Sequence, residues 1–212
     1  MKKLLTFFAA AVFALAFVST ATAQVRFGVK AGLNLANISF SNLGEVKPET
    51  SMLPTFMVGG QVEFGLAENI GLGVGLQLQG KGVKSKTDFL GETVESKVTP
   101  MYLQIPVYLT YRNSGFFAGV GPYAGFGLFG KNKTDGTDSQ NLKFGNSMDD
   151  DFAPLDFGAG LELGYEFGSL RATASYNLGL ANALPKDLVE GTDVKAKHGV
   201  IGIAPAYLFG GE

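Results

Sequence analysis

Apolar side chains alternate with polar or small ones along residues 99–129. In the first half, one face receives the side chains of Met101, Leu103, Ile105, Val107, Leu109 and Tyr111. This period of two predicts a β-strand with one apolar face. The polar residues 112–115 end in glycine and predict a tight turn, so the second half would return as the partner strand of a hairpin. Both strands exceed the ~5–6 residues usual in soluble sheets and reach the ~9–11 residues that a bilayer crossing requires.

The whole chain predicts eight such strands, and the connections between them alternate between short and long. The strands cover residues 25–37, 54–66, 70–83, 98–111, 116–130, 154–167, 170–181 and 197–209. Tight turns fall at 66–70, 112–115 and 167–170, and long polar segments at 38–53, 84–97, 131–153 and 182–196. An even strand number with this alternation is typical of outer-membrane barrels, in which the short turns are periplasmic. The predicted fold class is therefore all-β, an eight-stranded antiparallel up-and-down transmembrane β-barrel.

One parity of these strands is apolar and almost free of charge, as contact with lipid requires. The predicted outward residues are Phe27, Val29, Leu33, Leu35, Phe56, Val58, Val62, Phe64, Ile70, Leu72, Val74, Leu76, Leu78, Leu155, Phe157, Leu161, Leu163, Tyr165, Leu170, Tyr176 and Leu178. Aromatic residues also recur at the turn ends of the strands, where they would form a periplasmic girdle. These are Tyr111, Phe116, Tyr165, Phe167, Tyr207 and Phe209.

The opposite parity is polar or very small. It contains Arg26, Lys30, Gln61, Glu63, Gln77, Gln79, Lys81, Gln104, Asp156, Glu162, Glu166 and Arg171. Buried charges are costly unless they are paired, and a barrel of eight strands is just wide enough for side chains to fill it. We expect a structural network of ion pairs and amide hydrogen bonds inside the lumen. A narrow ion path through the same residues is the alternative.

Prolines interrupt the predicted strands. Pro106, Pro122 and Pro205 each lack the N–H that a ladder requires. With a turn at residues 113–114, Pro106 and Pro122 would lie almost opposite each other. A bulge or a local break of the ladder is expected there.

The first 23 residues predict a secretory signal peptide, which makes 24–212 the barrel domain. Lys2 and Lys3 precede an uncharged apolar run at 4–18, and the small residues 21–23 suit signal peptidase. An uncleaved anchor helix is the alternative. After this segment no apolar run is long enough for a spanning helix.

Composition narrows the classes of function. The chain has 30 Gly, 18 Phe and 7 Tyr but no Cys, so it carries no disulfide and no thiol chemistry. Its net charge of −2 argues against nucleic-acid binding, which favours a basic face.

The alternation of apolar and polar residues alone would also fit a soluble lipocalin-like barrel with an apolar interior. The aromatic residues at strand ends and the crowding of glycine on the polar face favour the membrane interpretation.

Candidate chemistry is sparse. His198 is the single histidine, without a Ser or acidic partner at motif spacing, and a solvated residue at the barrel rim is expected rather than a catalyst. The third long segment contains five aspartates, which lack the spacing of a calcium-binding loop: Asp135, Asp138, Asp149, Asp150 and Asp151. A solvated acidic loop is therefore favoured over a Ca²⁺ site. Phe144, Met148 and Phe152 in that loop would pack or contact a partner. No cofactor or metal is expected, and the glycine repeats are not phosphate-binding loops.

Several motifs resemble a known family. They are GVKAGLNL at 28–35, YLQIPV at 102–107, GPY at 121–123 and DFGAG at 156–160. Over nearly the whole chain after the signal, the sequence resembles the PorT-like outer-membrane β-barrel family of Bacteroidota, often called porin family proteins. The resemblance implies an outer-membrane barrel with no assigned activity and no catalytic residues. Two departures are the residues 210–212 after Phe209, where such barrels usually end on an aromatic residue, and Ala204, where glycine is usual.

The expected location is therefore the cell outer membrane. The expected role is structural or surface interaction through four extracellular loops, without enzymatic activity. The expected partners are outer-membrane lipids and lipopolysaccharide, the barrel-assembly machinery, and a surface partner of unknown identity. The alternatives are a small-solute pore, a lipid A-modifying enzyme and a soluble lipocalin-like binder.

Overall fold

The structure is a computed structural model that describes residues 25–42, 50–89 and 92–210, of which 87–89, 92 and 93 are described by their backbone alone. The predicted signal peptide lies outside the described residues. The strands are β1 Val25–Ser41, β2 Thr50–Ser51, β3 Leu53–Gly65, β4 Ile70–Gly80, β5 Val83–Phe89, β6 Glu92–Asn113, β7 Phe116–Thr134, β8 Gln140–Asn141, β9 Leu155–Phe167, β10 Leu170–Gly179 and β11 Lys195–Phe209. A single helical turn, α1, covers Lys186–Val189. No helix among the described residues has the length and apolar character to span a membrane.

Eight of the strands close into a ring. The hydrogen-bonded order is β6-β4-β3-β1-β11-β10-β9-β7, and a further pairing joins β7 back to β6. Every pair in this ring is antiparallel. The predicted all-β fold with eight antiparallel strands is therefore confirmed. The closed ladder leaves no edge within the ring, so its backbone groups are satisfied in lipid.

Short turns join the strands at one end of the ring, as predicted. Asn113 pairs with Phe116, so the turn consists of Ser114 and Gly115, one residue later than residues 113–114. Both have positive φ, 50° and 85°, as a two-residue hairpin turn requires. By the rule for outer-membrane barrels, this end faces the periplasm and the other end faces outward.

The segment 84–97 is not the loop that its polarity predicted. β5 and β6 pair there without interruption from Val83–Val98 to Phe89–Glu92, forming a hairpin that projects beyond β4. β2 pairs with β5, and β8 pairs with β7, so the sheet continues outside the ring. The reason is local: Val94 and Val98 favour extended structure, and Lys84 pairs with Glu95 across the strands at 2.6 Å.

The prolines break the ladder without a bulge. The β6–β7 register is unchanged across Pro106 and Pro122, although no pair forms at Val107 and Tyr108. Pro205 interrupts the β1–β11 ladder in the same way. The register shift in β6–β7 lies instead between Met101 and Tyr102, so of the two predicted alternatives the structure has the local break and not the bulge. A missing N–H removes one hydrogen bond but does not require an extra residue.

The apolar parity faces outward. The residues named above as outward are all exposed or half-exposed, and Leu33 and Phe157 expose 73% and 56% of their surface. Met101 was placed on the same apolar face of β6, but it lies beside the register shift and is only 4% exposed. The six aromatic residues predicted at the turn ends are exposed there as well. In water such a surface would be an aggregation hazard, whereas in a bilayer it is the expected exterior.

Candidate functional site

The candidate site is the lumen. The structure directs all twelve predicted polar residues into it; nine are buried, and Arg26, Gln61 and Glu166 are half-buried. Their ion pairs form three layers between the periplasmic and the extracellular end. Each layer joins strands far apart in sequence, because barrel closure brings opposite walls within reach of long side chains.

The periplasmic layer consists of two arginines and two glutamates. Arg26 Nη2 lies 2.8 Å from Glu63 Oε2 and 2.9 Å from Glu166 Oε1. Arg171 donates to the same two carboxylates and stacks on the ring of Phe117, with 3.7 Å between its guanidinium carbon and the ring centroid. Every charge therefore has two opposite partners, which offsets the cost of burial.

Arg112 adds a fifth positive charge that the sequence interpretation missed. Its Nη1 lies 3.8 Å from Glu63 Oε2, and its side chain is half-buried. The alternation along β6 would have predicted its inward position, because Arg112 lies an even number of residues after the inward-facing Gln104.

The central layer pairs Lys30 with Glu162 at 2.6 Å. Beside it, Gln104 and Tyr108 both donate to Asn177 Oδ1, at 3.2 and 3.3 Å. The cavity lined by Lys30, Glu162, Tyr108 and their neighbours has a volume of about 20 Å³. Such a space holds about one water molecule.

The upper layer is the most buried. Lys81 donates to Asp156, and their side chains are 0% and 1% exposed. Tyr123 donates a hydrogen bond of 3.2 Å to the same carboxylate oxygen. The ammonium also lies 4.3 Å from the centroid of the Tyr123 ring and 5.3 Å from that of Tyr102. Neither tyrosine was predicted as part of the site, although each shares the inward parity of its strand.

An apolar cluster closes the lumen above this layer, and we call it the mouth plug. It contains Ile38, Val83, Leu142, Phe152, Ala183 and Ala196, with Phe40, Val98, Phe144 and Leu184 packed against them. The long segments 131–153 and 182–196 supply six of these ten side chains. Sequence polarity did not predict the plug, because its apolar residues are dispersed among charged ones in both segments.

Backbone hydrogen bonds hold the plug in the mouth. Ala153 N donates to Ala183 O at 2.8 Å, and Asp187 N donates to Asn146 O at 2.9 Å, so the two long segments are joined. Phe144 packs against Gly127, where an added Cβ would lie 2.1 Å from the phenylalanine ring. Of the three apolar residues noted in this loop, Phe144 and Phe152 therefore pack inward, whereas Met148 is 73% exposed.

His198 lies beneath the plug, which contradicts its predicted position as a solvated rim residue. It is only 1% exposed, and its ring contacts Tyr102 and Phe152 at centroid distances of 5.5 and 6.0 Å. The error arose because the long loops fold back over the strand end rather than leaving it open. Within the described residues, neither imidazole nitrogen has a hydrogen-bond partner.

The acidic loop is organised by its own carboxylates. Asp151 accepts a hydrogen bond of 2.7 Å from Lys143 N, and Asp150 accepts one of 2.9 Å from Ser147 N. Among the residues that the structure describes, no three His, Cys, Asp or Glu side chains are placed to hold a metal ion. These carboxylates act here as acceptors for the turn.

The extracellular hairpin of β5 and β6 carries a further ion cluster. Glu95 lies 2.6 Å from Lys84 and 2.8 Å from Lys97. Hydrogen bonds from Lys84 and then from Lys97 lower the pKa of Glu95 to about 2. Hydrogen bonding to the carboxylate favours its charged form.

Solved structures of outer-membrane proteins resemble the chain at low identity. Ail of Yersinia pestis, in a complex with the heparin analogue sucrose octasulfate, has 12% identity and a TM-score of 0.48, covering 88% of this chain and 99% of Ail. Neisserial surface protein A has 11% identity and a TM-score of 0.46, with 85% and 96% covered. The N-terminal barrel of Pseudomonas aeruginosa OprF has 14% identity and a TM-score of 0.40, with 89% and 100% covered.

No curated protein matches the sequence. The sequence model of the outer membrane protein beta-barrel domain matches residues 19–184, which is most of the chain. This match agrees with the closed ring and its apolar exterior. The chain therefore belongs to the outer membrane protein beta-barrel domain family, and it is a β-barrel protein of the outer membrane.

Proposed function

We propose that this protein is a sealed structural barrel that supports the envelope or a surface interaction through its four extracellular loops, without conducting solutes and without enzymatic activity. The observation that carries the proposal is the filling of the lumen along its length. Three layers of paired charges occupy the ring, and the mouth plug covers its extracellular end.

The ion pairs leave little space for a solute. The cavity beside Lys30 and Glu162 holds about one water molecule. A passing ion would have to displace Arg171 or Lys81, and separating either from its buried partners leaves an uncompensated charge that costs ~3–5 kcal/mol. These layers therefore act as structure rather than as a path.

The mouth plug adds a second barrier. Phe152, Ile38 and Leu142 are buried among other apolar side chains, and hydrophobic constrictions exclude water and ions. Opening it would require segments 131–153 and 182–196 to separate, which breaks the hydrogen bonds between Ala153 and Ala183 and between Asp187 and Asn146.

The same enclosure supports a role without catalysis. An enzyme that modifies lipid A would need a nucleophile or base that is accessible from the outer leaflet. His198 is instead enclosed by Tyr102 and Phe152. Unchanged lipid A mass in cells that express the protein, with no difference for His198→Ala, is the expected result.

Reconstitution in planar bilayers tests the sealed lumen. The wild-type protein should show no stable current steps, while a conducting porin in the same bilayer shows that the assay detects channels. Stable steps whose size changes in Arg171→Met would contradict the proposal. They would instead establish the small-solute pore.

That pore is the second candidate, and one observation favours it. Within the described residues, buried polar atoms of Gln77, Gln104, Asp156 and His198 have no hydrogen-bond partner. Buried polar groups are usually satisfied by protein or by water, so water would hydrate them. A gated path would use these atoms after the plug had moved.

The assignment to a narrower family within the outer-membrane barrels rests on two sequence motifs. YLQIPV at 102–107 and GPY at 121–123 support membership of the PorT-like group of Bacteroidota. Outer-membrane lipids and lipopolysaccharide are proposed as contacts of the apolar face, and the barrel-assembly machinery is proposed to recognise the last strand near Phe209. Cleavage after Ala23 would leave Gln24 as the first residue, which N-terminal sequencing of the membrane fraction would show.

A further inference from the structure

Lysines cluster on the outward face of the sheet just beyond its apolar band. Lys84 and Lys86 lie on β5, Lys97 on β6, and Lys131 and Lys133 on β7; we call them the outer lysine patch. Lys84 is half-exposed, and the other four are exposed. On β6, Lys97 keeps the parity of the lipid-facing Leu103 and Leu109. On β7 the register shift beside Phe129 changes the parity, and Lys131 and Lys133 follow the exposed Phe129. The register pairs Lys133 with Lys97, so all these lysines lie on the same face of the barrel.

The register places like charges next to each other. Lys84 pairs with Lys97, and Lys97 pairs with Lys133, so three lysines form one row across three strands. Like charges in directly opposite positions destabilise a sheet. Glu95, which pairs with Lys86 in the register, binds Lys84 and Lys97, and an anion over the row would relieve the repulsion that remains with Lys133.

The carboxylates nearby offset only part of this charge. Glu95 binds Lys84 and Lys97, and Asp135 lies near Lys97. Lys86, Lys131 and Lys133 form no ion pair with any side chain that the structure describes. Five lysines against two carboxylates leave the described part of this face positive.

The patch lies at the level of the outer lipid headgroups. The outward side chains Phe126, Leu128 and Phe129 are exposed directly below Lys131. From Phe116 to Phe129 the strand rises about 43 Å, which at a tilt of ~40° is about 33 Å along the membrane normal. Because the hydrocarbon core is ~30 Å thick, Lys131 begins where the headgroups begin.

We propose that the outer lysine patch binds the phosphate groups of a phosphorylated glycolipid of the outer leaflet, of the lipid A class. This inference rests on the proposed contact of the apolar face with outer-membrane lipid. Lysine binds phosphate as a point charge, and the acyl chains of the same lipid would lie along Phe126 and Phe129. The position beside the apolar band favours this lipid over a soluble anion, which would have no contact with the hydrocarbon-facing residues.

The experiment measures retention of lipid A by the barrel in phosphatidylcholine nanodiscs. Native mass spectrometry would compare diphosphorylated with dephosphorylated lipid A on the wild type, on Lys131→Gln and on Lys131→Gln/Lys133→Gln. Each lysine near an anionic surface contributes about fivefold, so the single variant should bind about fivefold and the double variant about 25-fold more weakly. Lys186→Gln, which removes an exposed lysine of α1 above the mouth, should bind like the wild type.

Three results would overturn the inference: no binding to the folded wild type, equal binding of the double variant, or equal binding of dephosphorylated lipid A. Heat-modifiable mobility on gels checks the closed barrel in every sample. A wild-type protein that binds no lipid A but keeps this mobility refutes the patch alone. Loss of the mobility in the wild type would contradict the closed barrel on which the proposed function depends.

Discussion

Replacing Lys81 with methionine tests the energetics of the filled lumen at its most buried ion pair. The substitution keeps an unbranched chain of similar length but removes the charge that Asp156 requires. Both side chains are at most 1% exposed, so water cannot replace the lost partner. Tyr123 still donates its hydrogen bond of 3.2 Å to the carboxylate, but one neutral donor does not neutralise it.

The expected cost follows from this geometry. Removing one partner of a buried ion pair typically costs ~3–5 kcal/mol, because the remaining charge is left uncompensated. The contact of the ammonium with the Tyr123 ring at 4.3 Å is lost as well, and such contacts contribute ~0.5–2 kcal/mol. We therefore expect a decrease of ~3–5 kcal/mol in the free energy of unfolding.

The double variant Lys81→Met/Asp156→Asn distinguishes the energetic contribution of the ion pair from that of side-chain packing. It has no buried charge, and the amide oxygen can still accept the hydrogen bond of Tyr123. The double variant should therefore lose at most ~2 kcal/mol, less than the single one. Lys186→Met, in the exposed helical turn α1, should change stability by less than ~0.5 kcal/mol.

Urea unfolding in phosphatidylcholine vesicles provides the measurement. Because the chain has no tryptophan, circular dichroism and the heat-modifiable gel shift would follow the folded fraction. At a slope of ~2 kcal/mol/M, a loss of 3 kcal/mol lowers the midpoint by about 1.5 M. A Lys81→Met midpoint within about 0.5 M of the wild type, or a double variant less stable than the single one, would refute the reasoning.

Three further predictions concern the plug, the hairpin and the exterior. Gly127→Val should displace Phe144 and increase the rate of limited proteolysis in the plug about tenfold. Gly199→Ala should leave this rate unchanged, because no atom lies within 4 Å of the added Cβ. Equal rates for the two variants would contradict the packing of Phe144 against Gly127. The pKa of Glu95 lies below its ordinary value of 4.5, so its ion pairs stabilise the hairpin above that pH and weaken as the pH falls towards 2. Its carboxyl carbon should titrate by NMR near pH 2, and a midpoint near 4.5 would contradict the cluster. Leu161→Lys should lower stability in vesicles by ~2–4 kcal/mol, because it places a charge on the lipid face; an unchanged midpoint would contradict that placement.

The alternation of side chains was sufficient to predict which face each strand presents. In a strand the period is two, so the outward position of Leu163 also determines that Glu162 points inward. The short turns could be recognised by their glycine, because glycine adopts positive φ without strain, as Gly115 does. These are local properties, and they are visible in the sequence.

The partners inside the lumen could not be predicted in the same way. Arg171 pairs with Glu63, 108 residues away, and Lys30 pairs with Glu162, 132 residues away. Such pairs depend on the stagger of the closed ring, which the alternation of one strand does not contain. Parity would nevertheless have added Arg112 and Tyr123 to the inward set.

The long connections were the least predictable part. Their polar composition suggested solvated loops, but β5 and β6 extend the sheet, and Phe152 returns to cover His198. A few apolar residues among many charged ones give no periodic signal, and their burial depends on the mouth into which they fold. This one omission led to the wrong position for His198.

Contacts between methyl groups and lipid test the central claim most directly. In a deuterated protein with protonated methyl groups, folded in lipid nanodiscs, Ile201 and Ile203 on β11 should show NOEs to lipid acyl chains, because they expose 42% and 68% of their surface. Ala204 and Ala206, which are buried on the opposite face of the same strand, should show NOEs neither to acyl chains nor to bulk water. Lipid contacts from the two alanines, or water contacts that reveal a hydrated lumen, would contradict an apolar exterior around a filled interior.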